Sequence, residues 1–157
     1  MKKFLISLLT LLTMTTIVFA DDKQDALNFF NSYVNSANTY NPAITALYSP
    51  NAKIIRQVVK PDGTTVNVNT DTATYINQMK ISQTIAKARK YTNSYSNVSV
   101  KTLGKDTYKI SSLRQPKGET YKLKTYMVIK LQPNGKWLIT EELMQTKEQI
   151  FLRYAKK

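Results

Sequence analysis

The chain contains neither cysteine nor histidine. The absence of cysteine excludes disulfides, and the absence of both excludes zinc sites of the common kinds. Serine–histidine–aspartate and cysteine–histidine nucleophile systems are excluded as well, and so is a histidine general base. Asp, Glu, Lys and Tyr are the side chains left for proton transfer. We predict neither a metal nor a cofactor.

Acidic residues are also scarce, because 10 Asp and Glu stand against 23 Lys and Arg, for a net charge of +13. Such an excess favours anionic partners: membrane surfaces, cell-envelope polymers, nucleic acid or acidic proteins. The alternative is a lysine-rich surface that only keeps the protein soluble, since the charges are scattered along the chain. No recognised nucleic-acid motif is present, so nucleic acid is the least expected partner.

The N-terminus has the three-part pattern of an export signal. Lys2 and Lys3 precede an uncharged run that ends in Val18-Phe19-Ala20, with small residues at the −3 and −1 positions. The alternative is an uncleaved anchor, but the run is short for a bilayer span of roughly 20 residues. We predict a signal peptide at residues 1–20 and one periplasmic or secreted domain at residues 21–157. Without Lys2 and Lys3, that domain has a net charge of +11.

Helical and strand periodicities alternate along the rest of the chain. Helical spacing covers Gln24–Tyr40, Pro42 opens a second short helix, and Asp71 has the position of an N-cap for a third. Strand patterns fall at Ala52–Lys60, Thr64–Thr70, Tyr91–Leu103, Thr107–Gln115, Glu119–Gln132 and Lys136–Thr146. The tail Lys147–Lys157 fits one short amphipathic helix. This order predicts an α+β fold, with three N-terminal helices packed on a curved, mostly antiparallel sheet of about six strands.

The last predicted hairpin can be assigned a register. Pro133 and Gly135 suit a type I turn followed by a left-handed residue, which makes a three-residue loop with a bulge. Leu131 then pairs with Trp137, and both strands place their apolar residues on one face.

Extending that register gives one carboxylate an unusual position. Met127 pairs with Glu141, which therefore lies on the apolar face, where a carboxylate can orient a ligand or act as a general base. A lysine at the sheet rim could also pair with it. The alternative is a slip of one residue, which leaves Glu141 solvated and brings Glu142 inside.

Three segments of the chain carry a family resemblance. They are Ala26-Leu27-Asn28-Phe29-Phe30, Ile44-Thr45-Ala46-Leu47-Tyr48-Ser49-Pro50-Asn51-Ala52-Lys53-Ile54 and Asn134-Gly135-Lys136-Trp137-Leu138-Ile139. They resemble the NTF2-like superfamily, the cone-shaped α+β fold of nuclear transport factor 2, ketosteroid isomerase and the SnoaL-type polyketide cyclases. The resemblance covers about Asp25 to Thr146. These are core and turn positions, so they imply the fold much more than the function.

The resemblance also bears on two possible site residues. In the isomerase-like members a tyrosine of the first helix donates a hydrogen bond into the pocket, and Tyr33 falls within one residue of that position. Those enzymes carry a carboxylate base on the first strand, where this chain has Arg56, which stays charged and cannot be a base. Arg56 could instead bind an anionic ligand, pair with Glu141 or face solvent. Trp137 could be a core plug or a surface on which a ligand stacks.

We predict a non-enzymatic domain that binds a small ligand or scaffolds a protein, with Tyr33, Arg56, Trp137 and Glu141 as candidate ligand contacts. One alternative is a small-molecule isomerase, dehydratase or hydrolase with Glu141 as base and Tyr33 as donor. Another is lysine-mediated binding of an anionic envelope polymer or membrane surface, which predicts affinity that falls steeply with salt. A homodimer through the outer sheet face is also expected. The residues assigned to that face are Lys122, Lys124, Tyr126, Val128, Lys130, Leu138, Thr140, Glu142 and Met144.

Overall fold

A computed structural model describes the backbone of residues 18–155 and the side chains of residues 23–155. The predicted signal peptide lies outside this range, apart from the backbone of residues 18–20, where the first helix begins. The elements are α1 (Val18–Asn38), a 3₁₀ turn (Pro42–Leu47), β1 (Tyr48–Val59), β2 (Thr65–Thr70), α2 (Thr72–Ala88), β3 (Asn93–Gly104), β4 (Thr107–Pro116), β5 (Leu123–Leu131), β6 (Trp137–Thr146) and a second 3₁₀ turn (Gln149–Tyr154). No helix within residues 18–155 is long and apolar enough to cross a membrane.

Helix α1 packs one apolar stripe into the core. Ala26, Phe30 and Tyr33 are buried, at the i, i+4 and i+7 spacing of one helix face. At the end of the helix, the Asn38 side chain donates to the Asn93 carbonyl at 2.9 Å and accepts from the Asn93 N–H at 3.0 Å. This pair of bonds ties the end of α1 to the start of β3.

The prediction of three helices ahead of the sheet is wrong, because α1 is the one α-helix that precedes β1 in the described residues. The second predicted helix is a six-residue 3₁₀ turn, since β1 already begins at Tyr48 and leaves too few residues after Pro42 for an α-helix. The third predicted helix is α2, which follows the β1–β2 hairpin. Its N-cap Asp71 accepts a hydrogen bond from the Thr74 N–H at 2.8 Å, as expected. The tail forms a 3₁₀ turn and no α-helix in the described range.

The strands form a six-stranded sheet in the order β2-β1-β6-β5-β4-β3. β1 and β6 run parallel, and the other neighbouring pairs are antiparallel. α2 connects β2 at one edge to β3 at the opposite edge, and both helices contact the same side of the sheet, which we call the inner face. Residues of the inner face that form the core are Ile54, Tyr108, Ile110, Met127, Ile129 and Ile139. The α+β class and the mixed six-stranded sheet are confirmed.

The β5–β6 turn has the predicted geometry. Gly135 has φ 78°, the left-handed region that glycine adopts without strain, and its N–H donates to the Gln132 carbonyl at 2.9 Å. Leu131 pairs with Trp137 as predicted. The hairpin therefore starts in the register that the turn residues indicate.

A β-bulge at Thr140 then changes the register. Beyond Ile139 one residue of β6 has no partner on β5, so Met127 pairs with Glu142 and not with Glu141. Because neighbouring residues of a strand face opposite sides, Glu142 points into the interior and Glu141 lies on the outer face. Glu142 is 1% exposed. The prediction that Glu141 is the interior carboxylate is wrong, and the one-residue alternative describes the structure.

Candidate functional site

Polar side chains from four elements meet inside the hydrophobic core and form what we call the interior cluster. Its members are Tyr33 of α1, Tyr48 and Arg56 of β1, Tyr75 of α2 and Glu142 of β6. Glu142 and the tyrosines are buried, and the Arg56 side chain is 14% exposed. β1 lies beside β6, and α2 packs on β1, which is why residues so distant in sequence meet here.

Glu142 is the centre of the interior cluster. Its carboxylate accepts hydrogen bonds from the Tyr48 hydroxyl, from Arg56 Nη1 at 3.3 Å and from the Tyr75 hydroxyl at 3.4 Å. A buried carboxylate is costly unless it is both paired with a cation and hydrogen-bonded. Glu142 meets both conditions without any group from outside the chain.

Arg56 neutralises Glu142 and is itself held in place by an aromatic ring. Its guanidinium carbon lies 4.5 Å from the centroid of the Tyr75 ring, within the range of a cation–π contact. Burial by itself lowers the pKa of Arg56, but the neighbouring Tyr75 and Glu142 outweigh burial and raise that pKa above its usual value. Arg56 is therefore a permanent cation that pairs with Glu142, and not with Glu141 as one sequence interpretation had it.

The tyrosines of the interior cluster are hydrogen-bond donors at neutral pH. Burial raises the pKa of Tyr33 and of Tyr48 well above the ordinary 10.0, and the nearby Glu142 carboxylate raises both further. Burial also raises the pKa of Tyr75, although the Arg56 cation offsets part of the effect. The Tyr48 and Tyr75 rings meet edge to face, with centroids 5.3 Å apart. Phenols held protonated in this way can stabilise negative charge and cannot serve as bases.

Two of the four residues predicted from the sequence as ligand contacts lie in the interior cluster. Tyr33 is buried on the core side of α1, beside Tyr48, and Arg56 points inward. Trp137 is half-buried and packs edge to face on Tyr108, with ring centroids 5.7 Å apart. That contact favours the core-plug interpretation of Trp137.

Glu141, the fourth predicted residue, has an entirely different environment. It accepts a hydrogen bond from the Tyr126 hydroxyl at 2.5 Å, and Lys53 Nζ lies 4.0 Å from its carboxylate. Lys109 Nζ sits 3.6 Å from the centroid of the Tyr126 ring on the same side of the sheet. Glu141 therefore belongs to a surface network of the outer face.

Sequence reasoning did not assign a site role to Tyr48, Tyr75 or Glu142. Tyr48 lies within one of the segments that carry the family resemblance, and Tyr75 is an apolar-stripe position of α2. Their sequence pattern predicted core residues, and both side chains are buried. Glu142 was the alternative to Glu141, and only the bulge distinguishes the two.

The outer face of the sheet is rich in lysine. One row of paired residues crosses five strands on this face. In order across the sheet it contains Lys53, Glu141, Val128, Lys109 and Lys101. Lys124 and Lys130 of β5 lie on this face too. Two earlier assignments are wrong: Glu142 and Met144 face inward, because the bulge reverses the faces of β6 beyond Thr140.

The interior cluster contains one carboxylate, and a metal site needs several ligands. Among the described residues no group of three or more Asp and Glu is placed to hold a metal ion. As arranged, the cluster supplies one charge pair and phenolic hydrogen-bond donors.

Comparison by sequence finds no relatives: no protein-family model and no curated protein matches the chain. Comparison with solved structures finds chains of similar fold. An NTF2-like protein of unknown function from Shewanella oneidensis matches with a TM-score of 0.58 at 12% identity, over 79% of this chain and 98% of that one. A candidate ketosteroid isomerase from Shewanella frigidimarina gives 0.54 at 18% identity, over 74% and 91%. A candidate scytalone dehydratase from Novosphingobium aromaticivorans gives 0.55 at 11% identity, over 80% and 86%.

At these identities the likeness concerns the fold and carries no function. The matches nevertheless extend over most of both chains, and they include a protein described as NTF2-like and a candidate ketosteroid isomerase, in agreement with the resemblance of the three sequence segments. In its α+β class, its six-stranded mixed sheet and its structural neighbours, the chain is a protein of the NTF2-like fold.

Proposed function

We propose that this chain is an exported NTF2-like domain with a binding or scaffolding role, in which the interior cluster is structural and not catalytic. One observation carries the proposal: Glu142 is 1% exposed and its carboxylate already accepts hydrogen bonds from Tyr48, Arg56 and Tyr75. A general base must come within about 2.6–3.2 Å of the proton it removes, directly or through one water. Here the protein's own donors occupy that space.

The second candidate function is a small-molecule isomerase, dehydratase or hydrolase. It is favoured by the presence of a carboxylate and phenolic donors in one interior, and by the candidate isomerase and dehydratase among the structural neighbours. In this structure Glu142 would have to take the role that sequence reasoning gave to Glu141, with Tyr33 or Tyr48 as donor. Catalysis would require the cluster to open and to exchange the Arg56 pair for a substrate.

Native mass spectrometry of the protein, purified without refolding from the cells that produce it, separates the two functions. Wild type is compared with Tyr33→Phe and with Glu142→Gln, and Glu141→Gln serves as the matched control on the outer face. If the cluster is structural, any molecule that wild type retains stays bound to Tyr33→Phe and to folded Glu142→Gln. A retained small molecule that both interior variants lose, and that Glu141→Gln keeps, would contradict the proposal and favour the enzyme.

The outer lysine face is the surface that we propose for a large partner, and its charge decides which kind. A symmetric homodimer through this face would set the lysines of one copy against those of the other. Lys124 and Lys130 are exposed, and Glu141 is the acidic residue of the six strands on this side. Like charges in contact disfavour an interface, so an acidic partner or an anionic envelope surface suits this face better than a second copy.

Co-sedimentation with vesicles tests that assignment. We expect binding to vesicles that contain anionic phosphatidylglycerol, little binding to neutral phosphatidylcholine, and a steep loss of binding as salt rises. The double variant Lys124→Gln/Lys130→Gln should weaken binding, while Lys87→Gln, at an exposed position of α2 on the opposite side of the sheet, serves as the control. Equal binding to neutral vesicles, or a concentration-dependent dimer with no salt dependence, contradicts the anionic assignment.

A further inference from the structure

A second buried arginine, outside the interior cluster, has no anionic partner. Arg114 of β4 is 6% exposed. Its Nη1 donates to Asn93 Oδ1 at 2.8 Å and to the Tyr91 hydroxyl at 3.4 Å, and its Nη2 donates to the Gln145 carbonyl at 2.8 Å. All of these acceptors are neutral. Among the described side chains no carboxylate comes within 4.0 Å of this guanidinium, in contrast to Arg56.

The hydrogen bonding of Arg114 is also incomplete. A guanidinium has five N–H donors, and the three named bonds leave Nε–H and one N–H of Nη2. Nε is buried and has no hydrogen-bond partner. It lies out of contact with solvent, so bulk water does not compensate for the missing acceptor. A buried cation without a counter-ion is expensive for a folded protein, and an oxyanion beside the guanidinium supplies the charge that is missing.

Arg114 borders a surface hollow of about 120 Å³, between the β4–β5 turn and the end of β6. It has room for a carboxylate or phosphate group. Lys117 and Lys147 line the hollow, and so do Tyr91 and Tyr121. Lys147 Nζ lies 3.9 Å from the centroid of the Tyr121 ring, which holds this cation at the rim.

We propose that this hollow is a binding site for a small oxyanion, a carboxylate or a phosphate group, with Arg114 as its floor and Lys117 and Lys147 at its rim. The inference rests on the proposed binding role and names the class of ligand. Arginine suits such groups because its planar donors can meet two oxygens at once. Glu119 and Glu148 also line the hollow, so they compete with the ligand for the positive charge and weaken its binding.

The test follows the Nε–H signal of Arg114 by NMR, with the full purified protein titrated separately with acetate and with inorganic phosphate at constant ionic strength. We expect a saturable shift of this signal with at least one of the two anions, and the pair of titrations distinguishes carboxylate from phosphate. Lys147→Gln should weaken the affinity about two- to fivefold, as expected for an exposed charge. Glu148→Gln should strengthen it, and Lys130→Gln, on the outer face, should leave it unchanged.

Two results would overturn the proposal. One is a signal that does not move with either anion; if that signal moves instead in Glu148→Gln or Glu119→Gln, the chain's own carboxylate is the counter-ion. The other is an affinity that Lys130→Gln weakens as much as Lys147→Gln does, which indicates diffuse attraction to a basic protein. Neither of these results touches the role of Glu142, so the proposed function stands or fails separately through its own variants.

Discussion

Replacing Glu142 by glutamine is the perturbation whose effect the structure defines best. The variant keeps the size and most hydrogen-bonding capacity of the side chain, but it removes the negative charge opposite Arg56. That guanidinium then lies in the core with no counter-ion, since it is 14% exposed and its ion-pair contact is with Glu142. The Tyr48 and Tyr75 hydroxyls lose a charged acceptor at the same time.

The magnitude follows from the difference between buried and exposed ion pairs. Removing one partner of a buried pair costs about 3–5 kcal/mol of unfolding free energy, because the other charge stays buried and unpaired. The neighbouring Glu141→Gln is the matched control. In the wild-type chain Glu141 lies 4.0 Å from Lys53 Nζ, and the side chains of Lys53 and Glu141 are 60% and 30% exposed. Such an exposed pair contributes about 0–1 kcal/mol to the free energy of unfolding. A chain of this size should lose about 10 °C or more in Tm from the interior change and little from the outer one.

Urea unfolding, followed by the fluorescence of Trp137, the single tryptophan, measures both variants. We expect a large fall in the midpoint for Glu142→Gln and a small one for Glu141→Gln, with unchanged slopes. Removing both charges, in Arg56→Met/Glu142→Leu, should recover much of the loss, because an apolar pair often replaces a buried ion pair without penalty. If the two glutamine variants fall by the same small amount, Glu142 is not the buried partner of Arg56 and the reasoning about the bulge fails.

Two further predictions concern the outer face and the last turn. Burial, followed by the hydrogen bond to Glu141, raises the pKa of Tyr126 to about 12; in Glu141→Gln that pKa should fall toward 10, as measured by tyrosinate absorbance. Because the pKa of Tyr126 is higher in the folded chain than in the unfolded one, its contribution to stability is complete below about pH 10 and is lost as pH rises toward 12. The urea midpoint of wild type should therefore fall more steeply across this window than that of Glu141→Gln, and parallel curves would refute the link. Gly135→Ala should cost about 1–2 kcal/mol, since φ is 78° although no atom lies near, while Gly104→Ala, which meets open space without a positive φ, should cost less in the same unfolding assay.

Local features of the chain could be predicted because they depend on neighbours in sequence. The Asp71 cap, the Gly135 turn and the inward side of α1 around Tyr33 each follow from a few adjacent residues, and the structure confirms them. The fold implied by the resemblance of three segments to NTF2-like proteins is also confirmed, since those segments are core and turn positions that the fold itself requires. The prediction of a second helix was wrong for a local reason too, because β1 begins at Tyr48, earlier than its β-branched residues indicate.

The sequence by itself determined that histidine and cysteine take no part in the chemistry of the fold and that Arg56 is a permanent cation. It left open whether Arg56 faces inward or outward and which carboxylate lies inside. Only the tertiary structure decided that the carboxylate is Glu142, because β6 must pair with β5 on one side and with parallel β1 on the other. Those two pairings leave Thr140 as a bulge, and a one-residue bulge exchanges the two faces of a strand. The absence of any described carboxylate within 4.0 Å of Arg114 is likewise a property of the packed sheet. Strand register and ion pairing are contacts between distant residues, so no local pattern specifies them.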